Sequence, residues 1–175
     1  MEPPVRVLPI SPLMLVAISG ACLRLRQPSA AAAFLVAFDA LLRPGEIYSL
    51  HKEHVTWARG RAVISLHGTK TGQRKGATEM VVCQSRVANL WLWQALEGKR
   101  PKDHLIDCSP AHLRHLFHTI VEHLNIPGHF SLYSFRRGGA TWHFLSEQSM
   151  EATLLRGRWV STTKLAYIFR MLLPH

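Results

Sequence analysis

Four short segments hold the residues best suited to chemistry: Leu42-Arg43-Pro44-Gly45-Glu46, His67-Gly68-Thr69-Lys70-Thr71-Gly72, Tyr133-Ser134-Phe135-Arg136-Arg137-Gly138-Gly139-Ala140-Thr141, and Gly157-Arg158-Trp159 followed by Tyr167. Each offers a cation, and a planar guanidinium fork matches the oxygens of a phosphate while staying charged at any working pH. Two arginines beside two glycines suit a backbone packed close to an anion. The whole chain agrees, since 21 Lys+Arg against 11 Asp+Glu give a net charge of +10. Such a field draws polyanions, nucleic acid ahead of an acidic membrane surface. A metal-dependent nuclease would need clustered carboxylates. Acidic residues such as Glu147 and Glu151 instead stand isolated on expected helices.

The other reactive side chains point elsewhere. Cys22, Cys83 and Cys108 are odd in number and far apart, so they read as thiols in a reducing compartment rather than a disulfide framework. Among 11 histidines, His112, His115 and His118 recur every three residues along one expected helix. Three-residue steps drift by about 60° each, so two of them could share a metal but all three would splay. No metal site and no cofactor are expected. The apolar run Leu13 to Leu25 is too short to cross a bilayer, and Arg24 and Arg26 follow it rather than precede it. It reads as a first core helix, not a signal peptide or a membrane anchor.

The elements that must position these residues are legible in outline. With 47% hydrophobic and 18% charged residues and no low-complexity run, residues 1–175 read as one globular domain. Helices are expected at about 13–26 and 29–42, and a short one from Pro44 through Glu46 to His51. Three β-prone runs follow, Val55 to Trp57, Arg61 to His67 and Thr78 to Cys83, divided by Arg59-Gly60 and by the polar loop Gly68 to Gly76. Helical periodicity returns over Ser85 to Leu96 and Pro110 to Leu124, with Ser85 and Ser109 as caps, and then at about 134–147, 150–156 and 162–171. Gly138-Gly139 inside a helix costs about 1 kcal/mol per glycine against alanine, which implies a close backbone approach there. The fold class is mainly α with a small three-stranded antiparallel sheet, an α+β domain.

In this order and at these separations, the four segments resemble the catalytic domain of tyrosine recombinases, the phage-integrase family, along nearly the whole chain. Leu42, Arg43, Glu46 and Leu50 match the family's first arginine motif, which implies Arg43 at the scissile phosphate and Glu46 as its support. Lys70 matches the family's hairpin lysine, with Lys75 in reserve, as proton donor to the leaving 5′ oxygen. Arg136, Ala140 and Thr141 keep the spacing of the second arginine box. Tyr133 stands where that box usually has histidine; a phenol still donates a hydrogen bond but is a poor base at neutral pH. At the following His/Trp position, Trp159 would donate its indole N–H to phosphate, with Arg158 the other candidate. Tyr167 is then the implied nucleophile. Arg74, Lys75 and Arg137 are the expected further DNA contacts.

The resemblance implies cleavage and rejoining of double-stranded DNA through a 3′-phosphotyrosyl intermediate, without metal or ATP, by an intracellular protein acting where DNA is, the nucleus in a eukaryote. It implies a mobile-element integrase or recombinase working as a homo-oligomer, a tetramer, on DNA. Family members usually carry a separate N-terminal core-binding domain, and residues 1–175 are expected to hold the catalytic domain without it. Tyr133 and the unusual Arg158-Trp159 pair keep open a second reading, a non-cleaving DNA-binding remnant of a mobile element. Charge alone would also fit a helical RNA-binding or structural protein.

Overall fold

The computed structural model describes residues 7–67 and 78–160. The expected helix at 162–171 and the loop carrying Lys70, Arg74 and Lys75 therefore lie outside the described residues. Helix α1 spans Pro12–Arg24 and α2 spans Pro28–Asp39; α3 is the short turn Pro44–Tyr48, and a 3-10 turn covers Lys52–His54. Strands β1 (Val55–Ala58), β2 (Arg61–Leu66) and β3 (Glu79–Val82) form one antiparallel sheet in the order β1-β2-β3. Helices α4 (Arg86–Leu96), α5 (Pro110–His123), α6 (Tyr133–Glu147) and α7 (Met150–Gly157) complete the described chain. No helix among the described residues is long and apolar enough to cross a membrane.

The core is built around α2. Its sequence is apolar on every side, and every residue from Ser29 to Phe38 is buried, as a helix without a polar face must be. It packs against α1, α4 and α6. Phe34 of α2 stacks on Phe135 of α6 with ring centroids 4.6 Å apart and meets Phe117 of α5 edge-on at 5.8 Å. Each such pair contributes about 0.5–1.5 kcal/mol beyond the area it buries. Burial pushes the Cys22 thiol up to about 12 and the Cys83 thiol up as well, so both are inert at neutral pH.

Helix α2 stops three residues short of the expected end. Leu41 adopts φ +52°, and the N–H of Leu42 reaches back five residues to the Ala37 carbonyl at 3.1 Å. This is a left-handed helix stop made with leucine where glycine is usual. The reversal turns the Leu41 carbonyl away from the helix axis and into the site described below.

The sheet is locked to the helices by one buried amide. Asn89 of α4 accepts the Ala62 N–H at 2.8 Å and donates Nδ2–H to the Cys83 and Ser85 carbonyls, each at 2.9 Å. Asn89→Ala strands a buried donor and buried acceptors at once. We expect it to lower the unfolding free energy by about 2–3 kcal/mol, read as a shift in the urea midpoint without loss of slope. Ser85 and Ser109 cap α4 and α5 as the sequence predicts, each hydroxyl accepting an N–H at 3.2 Å.

Candidate active site

Two guanidiniums from distant parts of the chain close on one carboxylate, and a third lies beside them. Glu46, in the first turn of α3, accepts the Arg43 N–H at 2.7 Å and Arg43 Nη1–H at 2.8 Å. Arg158, just past α7, closes a two-pronged bridge on the same carboxylate, Nη1 to Oε1 at 2.8 Å and Nη2 to Oε2 at 2.9 Å. Arg158 Nη1 also lies 3.4 Å from Glu79 of β3. Planar forks on a carboxylate are the strongest charged pairing proteins make, and this one joins α3, α7 and the sheet.

Arg136, on α6, is fully buried. Its Nη1–H donates to the Leu41 carbonyl and its Nη2–H to the Gly157 carbonyl. The Trp159 ring covers its guanidinium, 4.4 Å from Cζ to the ring centroid. Desolvation first, and then the charges of Arg43 and Arg158, pull Arg136 below the usual guanidinium range while leaving it protonated at neutral pH. The Leu41 carbonyl also accepts Arg158 Nη2–H at 3.0 Å, so one main-chain oxygen serves two cations. Arg136 Nε–H and Arg158 Nε–H are buried donors with no acceptor among the described residues.

Backbone geometry makes this arrangement possible. Arg158 adopts φ +58° at the end of α7, and the Trp159 N–H returns to the Leu154 carbonyl at 3.1 Å. The tryptophan thereby folds back over Gly157, where an added Cβ would stand 1.7 Å from its ring. On the other side, Gly138 and Gly139 let α6 press on its neighbours: a Cβ would lie 1.9 Å from the Ile10 carbonyl oxygen at 138 and 1.9 Å from that of Phe38 at 139. The glycine pair thus marks the close approach that the sequence predicts.

The structure brings together Arg43, Glu46, Arg136, Arg158 and Trp159, and it sets Tyr133 exposed on the first turn of α6, near enough to act on the charge of Arg136. Arg43 is the guanidinium most open to solvent, its side chain 34% exposed against 9% for Arg158. Arg158 and Trp159, competing candidates for one position, instead hold separate places, one on Glu46 and one over Arg136. Arg137 departs from its expected role as a DNA contact: it is buried, and its Nη1–H donates to the Val7 carbonyl, fastening α6 to the N-terminal segment. Lys70, Arg74, Lys75 and Tyr167 lie outside the described residues.

Sequence reasoning missed Asp39. Its carboxylate accepts the Gln84 and Ser85 N–H groups at 2.7 and 3.1 Å, and its carbonyl accepts Arg156 Nη2–H at 2.6 Å. It anchors α7, and with it Arg158, to the end of α2. Nothing local in the sequence signals that role, because its partners lie 45 and 117 residues away.

No protein-family model matches the sequence, and no curated protein matches it. The fold, by contrast, has solved counterparts. A lambda integrase dimer bound to a COC′ core site superposes with a TM-score of 0.74 at 12% identity, covering 95% of this chain and 49% of that one. The XerH site-specific recombinase bound to difH gives 0.70 at 13% identity over 91% of this chain and 50% of that one. The Tn1549 transposon integrase in complex with circular intermediate DNA gives 0.67 at 12% identity over 96% and 61%. The chain spans about half the length of the first two. The helical body and its three-stranded antiparallel sheet thus have the fold of tyrosine recombinase catalytic domains.

Proposed function

We propose that this chain breaks and rejoins duplex DNA, with Tyr167 as nucleophile. The observation that carries the reading is that Arg43, Arg136 and Arg158 come together from three separate segments, Arg43 and Arg158 on the Glu46 carboxylate and Arg136 beside them on the Leu41 carbonyl that Arg158 shares, in a fold shared with DNA-bound recombinases. Three cations face two carboxylates, Glu46 and Glu79, so the cluster keeps positive charge for an anion. The buried Nε–H donors of Arg136 and Arg158 add hydrogen-bonding capacity that an arriving phosphate, with a small shift of the Trp159 ring, would use.

In the proposed step the Tyr167 phenol loses its proton to solvent as its oxygen attacks the scissile phosphorus, the P–O5′ bond breaks, and Lys70 (or Lys75) gives its proton to the departing 5′ oxygen. Arg43 and Arg136 stabilise the charge that builds on the non-bridging oxygens, and Tyr133 donates a further hydrogen bond. The 3′-phosphotyrosine conserves the bond energy, so a free 5′ hydroxyl reverses the attack and reseals or exchanges the strand without metal or ATP. The reaction would serve integration, excision or site-specific recombination by a homo-oligomer on DNA; the structures that share the fold are a DNA-bound integrase dimer, a site-specific recombinase and a transposon integrase.

A second reading, a DNA-binding remnant that does not cleave, is favoured by the enclosure of Arg136 and by Tyr133 in the usual histidine place. One experiment separates the two. Incubated with a nicked duplex that loses its 5′-hydroxyl fragment on cleavage, the wild-type chain should form a covalent adduct that survives denaturing electrophoresis, and Tyr167→Phe should form none. An equal adduct with both proteins places the nucleophile elsewhere. No adduct with either, at concentrations where duplex DNA is bound, favours the remnant.

A further inference from the structure

A cluster of imidazoles lies just beyond the far end of α3 from Arg43, on the 3-10 turn that leads into β1. His51 opens this turn, and His104, in the loop between α4 and α5, faces it across an isolated antiparallel bridge. Their Nε2 atoms are 3.1 Å apart. His104 Nδ1 sits 2.9 Å from the Tyr48 carbonyl, which accepts its proton and leaves Nε2 as the bare nitrogen. His51, Glu53 and His54 each offer a ligand atom, these three lying within 4.8 Å of one another, and His104 approaches this trio through His51. The rings of His51 and His104 have centroids 4.1 Å apart, and those of His51 and His54 4.9 Å.

We propose that His51 and His104, with Glu53 and His54, form a binding site for a first-row divalent cation of the zinc class. Two nitrogens, each about 2.0–2.1 Å from one tetrahedral ion, stand about 3.3–3.4 Å apart, close to the separation of the two Nε2 atoms. The bond from His104 Nδ1 to a main-chain carbonyl is the outer contact that orients a ligating imidazole and fixes its tautomer. A set of nitrogens with one carboxylate selects zinc, cobalt, nickel or copper over magnesium or calcium, which favour oxygen donors.

The backbone around the pair is already fixed. The Leu105 N–H donates to the Leu50 carbonyl at 2.8 Å, the Lys52 N–H to the Asp103 carbonyl at 3.0 Å, and the Glu53 N–H to the Pro101 carbonyl at 2.9 Å. These bonds hold the two strands of the site whether or not an ion is bound, so little ordering cost attends binding. His54 joins by a ring turn, because its Nδ1 now accepts the His51 N–H at 3.2 Å. His51 and His104 are thus the two fixed ligands, and Glu53 and His54 the recruited ones. The ion would tie the loop before α5 to the segment that continues from α3, the helix bearing Glu46.

A neutral His51–His104 pair can also share a single N–H···N hydrogen bond, and calorimetry distinguishes the two. Zinc chloride titrated into the full chain, previously dialysed against chelator, should bind at one ion per chain with micromolar or tighter affinity and raise the melting temperature. His104→Ala and His51→Ala should each weaken binding about tenfold or more. His54→Ala and Glu53→Gln should have smaller effects, and the paired His112→Ala, His115→Ala variant on α5 should match wild type. Cobalt in place of zinc should give the intense visible absorption of a four-coordinate ion. Affinity weaker than micromolar, or zinc binding unchanged in His104→Ala, overturns the site. His104 is exposed, so its variant remains decisive should His51→Ala fail to fold.

Discussion

Glutamine in place of Glu46 should lower the unfolding free energy at neutral pH by about 3–5 kcal/mol, the cost of leaving buried charge without its partner. The Glu46 side chain is only 9% exposed and accepts four hydrogen bonds, two from Arg43 and two from Arg158. Glutamine keeps one acceptor oxygen and turns an N–H₂ toward a guanidinium, so both a charge and an acceptor are lost.

The pH dependence gives this prediction a second edge. Burial on its own raises the Glu46 pKa, but the hydrogen bonds and charge of Arg158, and then the backbone N–H and charge of Arg43, outweigh it and hold the carboxyl below its ordinary 4.5. A carboxyl depressed on folding contributes stability that is complete above its unfolded pKa and is lost as pH falls through the folded value. The wild type should therefore approach the Glu46→Gln variant as the solution is acidified, with the gap between urea midpoints widest near neutrality. A gap that stays constant into acid would show that Glu46 is held by packing and not by its charge.

The second large effect is expected from Gly139→Ala. The new Cβ would fall 1.9 Å from the Phe38 carbonyl oxygen and 2.6 Å from Leu41 Cδ2, and the first of these is backbone that cannot swing aside. Helix propensity favours alanine by about 1 kcal/mol, whereas forcing α6 away from α2 costs about 1–3 kcal/mol or more and loosens the Phe34–Phe135 stack along with it. We expect a net loss of about 2 kcal/mol in thermal or urea unfolding. Because Arg136 leaves the Leu41 carbonyl by the same displacement, the proposed function adds that DNA affinity should fall too. Gly20→Ala is the built-in comparison: nothing lies within 4 Å of its Cβ, so there the propensity term acts unopposed and the helix gains about 1 kcal/mol. Equal effects of the two substitutions would remove the close-approach argument.

What was legible in the sequence was what local rules control. Period, capping serines and turn residues mark the helices and strands of the described residues to within a few residues, and Gly138-Gly139 signals a backbone contact without naming its partner. The end of α2 was missed because Leu41 takes a left-handed conformation that its residue type disfavours; only the cations waiting for its carbonyl make that turn intelligible. The roles of the arginines were legible as a group and not one by one. Neighbours Arg136 and Arg137 face opposite directions on α6, one toward Leu41 and Gly157 and the other toward Val7. Both are inside, where charge alone would have put them outside. The sequence suggests a role for the Trp159 indole N–H, whereas in the structure the ring itself covers a buried cation. The histidine pair was invisible because its members are 53 residues apart and meet only through the bridge between two loops.

The oxygen of Leu41 has a further implication. A peptide carbonyl does not titrate, so the anchorage it gives Arg136 and Arg158 persists in acid that neutralises Glu46. The grip on Arg158 therefore has an acid-sensitive half and an acid-proof half, and the grip on Arg136 is acid-proof throughout. Acidification frees Arg43 and one face of Arg158 first, while Arg136 stays fastened between two strands of main chain, so the arginines respond to proton concentration in sequence and not as a block.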